Sequence, residues 1–253
     1  MHDDLALALE LADIADAVTL PRFRSRDLGV GTKADTTWVT EADTGSEAAV
    51  RAALAKARPD HAVLGEEEGL IGNPDARYRW IIDPIDGTSS YVRGLPIWAS
   101  LIALECEGQI VLGVASAPAL GRRWWASRGN GAFADGERIR VSGTDRIEQC
   151  HLGHASIASW EQHGRGAQFQ ALANRVWRSR GVGDFWMHTL VAEGVFDVAC
   201  EPIVSLWDLA AVQVIVEEAG GTFTNLAGEA RADGGSAVSS NGLLHAAVLA
   251  ALS

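Results

Sequence analysis

Apolar positions recur along the chain with two different periods. Leu7, Leu11, Ile14 and Val18 fall at helical spacing, so residues 4–19 are expected to form an amphipathic helix that Pro21 ends. A polar connector, "GTKADTTWVTEAD", follows. Thr40 with Asp43 three residues later has the form of a capping box and opens an expected helix over 41–57, closed by Pro59. "HAVLG" (61–65) and "YRWIID" (78–83) are short apolar runs of the kind that make buried strands. "IWASLIALE" (97–105) and "QIVLGVASA" (109–117), joined by "CEG", predict a hairpin, and "RRWWASR" and "GAFADGERIRV" continue the antiparallel pattern. Beyond about residue 149 strands and helices alternate. "CHLGHA" is an expected strand, 164–176 a helix, "GDFWMHTLVAEG" a helix and "VFDVACE" a strand. "WDLAAVQVIVEEAGG" is a helix stopped by Gly220 and Gly221. "GTFTN" and "SAVSSN" are strands, and 242–252 is a terminal helix.

The pattern divides the chain into residues 1–145, an α+β half with two helices on an antiparallel sheet, and 146–253, a smaller α/β half that completes the site. No long linker, internal repeat or low-complexity tract lies between them. The 253 residues are 47% hydrophobic and 21% charged, which fits an ordinary globular protein. A formal net charge of -12 argues against a nucleic-acid or anionic-membrane surface, but not against a small phosphorylated metabolite bridged by cations. Cys106, Cys150 and Cys200 are too sparse for a disulfide framework and fit a reducing cytoplasm. The first residues carry acids where a signal peptide needs bases, and no run of about 18 apolar residues predicts a membrane span.

Four acidic segments follow apolar runs or open helices: "VTEAD" (39–43), "GEEEG" (65–69), "DPIDGT" (83–88) and "SLWDLAA" (205–211). Each has an ordinary reading. Asp83 and Asp86 could belong to a turn, Glu66 to Glu68 to a solvated loop. Asp208 could be a helix-start acid and Asp43 a cap. Gathered in one cleft, however, these carboxylates would repel one another without a cation.

In this order and spacing, "GEE", "DPIDGT" and "WDLAA" resemble the inositol monophosphatase superfamily, which comprises Mg²⁺-dependent, lithium-sensitive phosphomonoesterases. The similarity runs over the whole chain. "VRGLPIWASLIALE", "RRWWASRGNGAF", "GDF" and "LVAEG" look most similar to its actinobacterial histidinol-phosphate phosphatases. The resemblance implies a layered αβαβα sandwich and a homodimer. It implies metal ligation by Glu66, Asp83, Asp86, Asp208 and the Ile85 carbonyl, an all-oxygen set that suits Mg²⁺ rather than Zn²⁺. Two or three Mg²⁺ are implied, two clamping an in-line displacement and a third near Glu66 and Glu67. Lithium inhibition is expected. Thr88, with Asp43 behind it, would orient the attacking water, and Glu67 counts with them among the catalytic groups. The Gly87 and Thr88 N–H groups would cradle phosphate. Lys33 and Thr40 match positions in a segment that closes over the site.

The resemblance also bears on the substrate. Asp184 in "GDF" falls on the leaving-group side and Glu201 in "CEP" matches a substrate-contacting carboxylate. Two acids there would suit a cationic leaving group such as histidinol. A helix N-cap is the other reading of Asp184. Arg93 and Trp207 are further pocket candidates, with a surface arginine and a core tryptophan as the alternatives. His188, four residues beyond Asp184, reads as a core or surface histidine, and Trp124 and Trp125 as packing or dimer-interface residues. Ser89-Ser90-Tyr91 departs from the Asn-aromatic pair that follows this motif in relatives, and Glu68 is a third, unassigned acid. The expected activity is hydrolysis of L-histidinol phosphate. Another small ester, such as an inositol phosphate, sugar phosphate or nucleotide, is the alternative. A non-catalytic regulator would be free to lose Glu66, Asp83, Asp86, Thr88, Asp43 and Asp208, yet all are present.

Overall fold

The structure, a computed structural model, describes residues 2–34 and 36–253. Met1 and Asp35, the latter inside the expected connector, lie outside the described residues. Helix α1 (His2–Arg22) leads into a small hairpin, β1 (Val30–Thr32) and β2 (Trp38–Thr40), and then α2 (Glu41–Ala57). Strands β3 (Ala62–Gly65), β4 (Gly69–Ile71) and β5 (Tyr78–Asp86) precede a short helix, α3 (Thr88–Arg93). Then come β6 (Ala99–Cys106), β7 (Gln109–Ala117), β8 (Arg122–Ser127), β9 (Gly131–Ala134) and β10 (Glu137–Ile139). The remainder is β11 (His151–His154), α4 (Ile157–Gln162), α5 (Gly166–Arg175), β12 (Arg178–Gly181), α6 (Asp184–Ala192), β13 (Val198–Glu201), α7 (Leu206–Glu218), β14 (Thr222–Thr224), β15 (Ala237–Ser240) and α8 (His245–Leu252).

The first sheet has the order β10-β9-β8-β7-β6-β5-β3-β4, and the second β12-β11-β13-β15-β14. The first is antiparallel throughout except for the parallel pair β3 and β5. Strand alternation sorts its side chains into two faces. Trp80, Ile82, Ile102, Leu104, Leu112 and Val114 pack with α1 and α2. Ile81, Leu101, Ala103 and Ala115 pack with Phe185, Met187 and Val191 of α6 and Leu209, Val212 and Ile215 of α7. The second sheet repeats the device. Ala199, Phe223 and Ala237 face the α6–α7 layer, while Leu152, Val198, Cys200 and Val238 face Trp160, Phe169, Leu172 and Val248 of α4, α5 and α8. The result is the αβαβα sandwich that the resemblance implies. Cys106, Cys150 and Cys200 are free thiols. Among the described residues no helix is long and apolar enough to cross a membrane.

Several expectations need correction. Pro21 does not end α1 but sits inside its last turn. The buried seam of that helix is Ala8, Leu11, Ala12 and Ala15, with Leu7 and Ile14 on its flanks, because small residues let α1 lie close to the sheet. The connector holds the hairpin β1–β2, whose first strand is exposed and leaves no apolar alternation to read. The single helix expected over 164–176 is two, α4 and α5. The polar edge strand β12, "RSRG", carried no strand signal either.

Helix α7 lies directly on β7 because position 113 has no side chain. A Cβ on Gly113 would fall 2.5 Å from the Ala211 carbonyl oxygen and 2.7 Å from its Cα. Both obstacles are backbone and cannot swing away. Gly113→Ala should therefore destabilise the protein by about 1–3 kcal/mol, read as a melting temperature lower by several degrees.

Candidate metal centre and substrate cleft

The two aspartates of "DPIDGT" share one face because of a bulge. Asp83 pairs with Leu101 and Asp86 with Ala99, three residues on β5 against two on β6. In a regular strand residues three apart point to opposite faces; one extra residue brings them to the same side. Pro84, which has no N–H to leave unpaired, occupies the bulge, and its carbonyl accepts from Ser100 Oγ at 2.7 Å. "DPID" is thus not a turn but the end of a strand three residues longer than expected. The chain bends only at Gly87, where φ is 84°. Asp83 Oδ1 accepts from the Ile85 N–H at 2.9 Å, and Asp86 Oδ2 accepts from the Phe185 N–H at 2.6 Å, across to α6.

Two other acids are helix caps and face the site as well. Asp208, in the first turn of α7, accepts the Ser205 N–H on Oδ2 at 2.8 Å. Carboxylate oxygens of Asp83, Asp86 and Asp208 all lie within 4.8 Å of one another. Asp43 closes the capping box of α2: its Oδ2 accepts from the Thr40 N–H at 2.8 Å and the Thr40 hydroxyl at 2.5 Å. Its Oδ1 lies 3.1 Å from Thr88 Oγ, whose single proton is shared with the Ile85 carbonyl oxygen at 3.0 Å. In Asp43 the cap contacts use Oδ2 and the Thr88 contact uses Oδ1, so the two do not compete.

The β3–β4 turn brings in Glu66 and Glu67. Lys33, from just beyond β1, donates to both carboxylates at 2.7 Å. Glu68 points away and pairs with Arg51 at 3.7 Å. Beneath the turn lies a residue the sequence reading missed. Glu47 of α2, fully buried, accepts from the backbone N–H groups of Glu67 and Glu68. Its spacing of four from Asp43, on the same helical face, was the available signal.

Burial pushes the Asp83 carboxyl well above the usual carboxylate range, and Glu66, Asp86 and Asp208 push it further. Asp86 is raised by burial and by Asp184 and Asp208, against the opposing Phe185 N–H. Burial lifts Asp208 to about 7, and burial with Glu201 nearby lifts Asp184 to about 7. Asp43 and Glu67 are raised as well, mainly by burial. Among the described residues no lysine, arginine or histidine forms an ion pair with Asp83, Asp86 or Asp208. A buried, oxygen-only donor set that lacks neutralisation fits a hard divalent cation.

A cleft of about 350 Å³ opens beside these acids, lined by Trp38, Glu66, Gly87, Thr88, Ser89 and Asp184. A second space of about 230 Å³ is lined by Asp86, Asp184, Phe185, His188, Glu201 and Asp208. Asp184 is a wall of both. It is not the N-cap of α6, which is Gly183, but the first helical residue. It is held at φ 52°, in the left-handed region that a side chain rarely occupies. Gly87 makes room for it: a Cβ there would lie 3.0 Å from Asp184 Oδ2 and 2.9 Å from the Ile97 carbonyl oxygen. Glu201 is held from behind. His188, buried, bonds Glu201 Oε1 through Nε2 at 2.9 Å and Ser239 Oγ through Nδ1 at 2.7 Å. A larger cavity of about 650 Å³ lies elsewhere, and its arginines are already paired with Glu105, Glu217 and Asp233.

Two pocket candidates fall outside the cleft. Arg93 is exposed, its guanidinium 5.4 Å from the Trp38 ring, so it backs the cleft wall rather than lining it. Trp207 packs against the central core. Trp124 is buried and donates its indole N–H to Glu193 at 2.8 Å, while Trp125 stacks on Phe133. Ser89, not Ser90, reaches the cleft, and Tyr91 is core, its hydroxyl donating to the Thr19 carbonyl at 2.6 Å.

Comparison with known proteins gives the chain its family. The family model described as "Inositol monophosphatase family" matches residues 1–253. A histidinol-phosphatase of Mycobacterium tuberculosis is 52% identical over 99% of this chain and 98% of its own. One from Streptomyces coelicolor is 49% identical over 96% and 94%. Among solved structures, the extragenic suppressor protein suhB of Bartonella henselae superposes with a TM-score of 0.92 at 29% identity, over 99% of this chain and 98% of that one. An acidic bulge, two capping aspartates and a match along the whole chain lead to one conclusion: this protein belongs to the inositol monophosphatase family and is a phosphoric monoester hydrolase.

Proposed function

We propose that the protein is a Mg²⁺-dependent phosphatase acting on L-histidinol phosphate. The observation that carries the substrate is the acidic second space. Asp184 and Glu201 both line it, and among the described residues no lysine or arginine does. An anionic leaving group is repelled by two carboxylates and a polyol offers them only hydroxyl hydrogen bonds, whereas an ammonium group gains direct charge attraction as well. The names of the relatives about half identical to this chain point the same way and make an inositol phosphate the weaker alternative.

In this reading Glu66, Asp83, Asp86, Asp208 and the Ile85 carbonyl hold Mg²⁺. When bound, the ion neutralises phosphate charge and makes water a better nucleophile. The chain does the rest. Thr88, held between Asp43 and the Ile85 carbonyl, orients the attacking water, and Asp43 takes up proton density through it. The Gly87 and Thr88 N–H groups at the start of α3 receive the phosphate oxygens. Lys33 draws the β1–β2 hairpin over Glu66 and Glu67. His188 fixes the Glu201 carboxylate toward the leaving group. A homodimer in the cytoplasm completes the proposal, and sedimentation would test the assembly.

The test is phosphate release from histidinol, inositol and sugar phosphates, with Mg²⁺ and with EDTA. Histidinol phosphate should be preferred by at least about tenfold in kcat/KM, a difference of roughly 1.4 kcal/mol. Asp184→Asn should reduce that preference mainly through KM. Equal turnover of all esters by the native protein would overturn the substrate assignment.

A further inference from the structure

We propose that Glu47 is a positioning residue for the metal loop, setting the direction of Glu66 and Glu67 from beneath. The inference rests on the reading of those two acids as metal-binding. Glu47 sits on α2 one turn after Asp43, and its side chain is fully buried. Oε2 accepts from the Glu67 N–H at 2.9 Å, and Oε1 accepts from the Glu68 N–H at 3.0 Å and from Arg51 Nε at 2.8 Å. Arg51 in turn donates to the Val63 carbonyl at 3.2 Å and the Gly69 carbonyl at 2.5 Å, on the strands either side of the turn. Two side chains from one helix thus grip both legs of the turn and its crown.

Gly65 supplies independent support. A Cβ there would overlap the Glu47 carboxylate, both oxygens and Cδ alike, so the space is filled by this group and nothing else fits. Burying an ion pair is a poor way to gain stability, because the desolvation cost is comparable to the attraction. What this pair supplies is direction. With N–H groups 67 and 68 pinned, the turn presents Glu66 and Glu67 side by side, as their shared contact with Lys33 records. The same helix carries Asp43 against Thr88. α2 therefore registers the water-orienting pair and the metal loop as one rigid piece.

Glu47→Gln tests this. The carboxamide can accept one of the two N–H groups, but it turns its own NH₂ toward the other. Mn²⁺ binding to metal-free protein, counted by loss of the free-ion electron paramagnetic resonance signal well below the melting temperature, should weaken about 10–100-fold. Gly65→Ala, which displaces the carboxylate from the other side, should give a similar loss, and the double variant should lose little more than either alone. It also carries the test if Glu47→Gln does not fold. A lower melting temperature in EDTA with Mn²⁺ affinity unchanged would make Glu47 merely structural and overturn the proposal. A native protein that binds no Mn²⁺ would instead overturn the metal reading beneath it.

Discussion

Asp83→Asn will cut phosphate release by roughly 10³-fold or more, and the same variant will melt at a higher temperature than the native protein in EDTA. The two effects have one cause. Asp83 is buried, 1% exposed, among Glu66, Asp86 and Asp208, and its charge is repelled by all three. Asparagine keeps the oxygen that accepts the Ile85 N–H, so the bulge survives. It removes the charge that a divalent cation needs and that the metal-free fold tolerates poorly. Stability gained with activity lost marks a residue kept for function at the expense of the fold. Calorimetry in EDTA together with a phosphate-release assay checks both halves. A variant that is both less stable and active would contradict the assignment.

The second large effect is on stability. Asp83, Asp86, Asp184 and Asp208 bind protons more tightly in the folded state than in the unfolded chain. The stability they contribute is full below the unfolded carboxylate range and is lost as pH rises through the folded values, about 7 for Asp184 and Asp208. In EDTA the melting temperature should therefore fall between about pH 5.5 and pH 8. Mg²⁺ at about a hundred times its dissociation constant should add about 2.7 kcal/mol. For a chain of this size that is about 5–10 °C at about pH 8. The gain should shrink toward the acidic end of that range, where protons already relieve the repulsion. A melting temperature that rises with pH in EDTA, or is indifferent to millimolar Mg²⁺, would sink the prediction.

Much of this is legible in the sequence alone. The helical spacing of α1 and α7, the capping box at Thr40 and the strand runs around 78–117 are local signals, and they landed within a few residues. The acids were visible as carboxylates in places that carboxylates avoid. What the sequence hid was non-local. The bulge at Pro84 depends on pairing with β6, so a local reading finds a turn. Glu47 acts on residues twenty positions away, and at the surface of an isolated helix it would be an ordinary i,i+4 partner of Arg51. The removal of Arg93 from the cleft depends on where Trp38 lies, on a hairpin whose polar sequence gave no strand pattern.

The acid cluster is recruited from three strata of the sandwich. Asp83 and Asp86 leave the eight-stranded sheet, Asp208 opens a helix of the middle layer, and Glu201 ends a strand of the second sheet. No single stratum can form it alone. A collapsed intermediate with its helices and strands in place but its layers still sliding would keep Asp83 and Asp86 together on their bulged strand but would lack Asp208 and Glu201. A divalent ion that needs the complete cluster would therefore favour the state in which the layers are locked together.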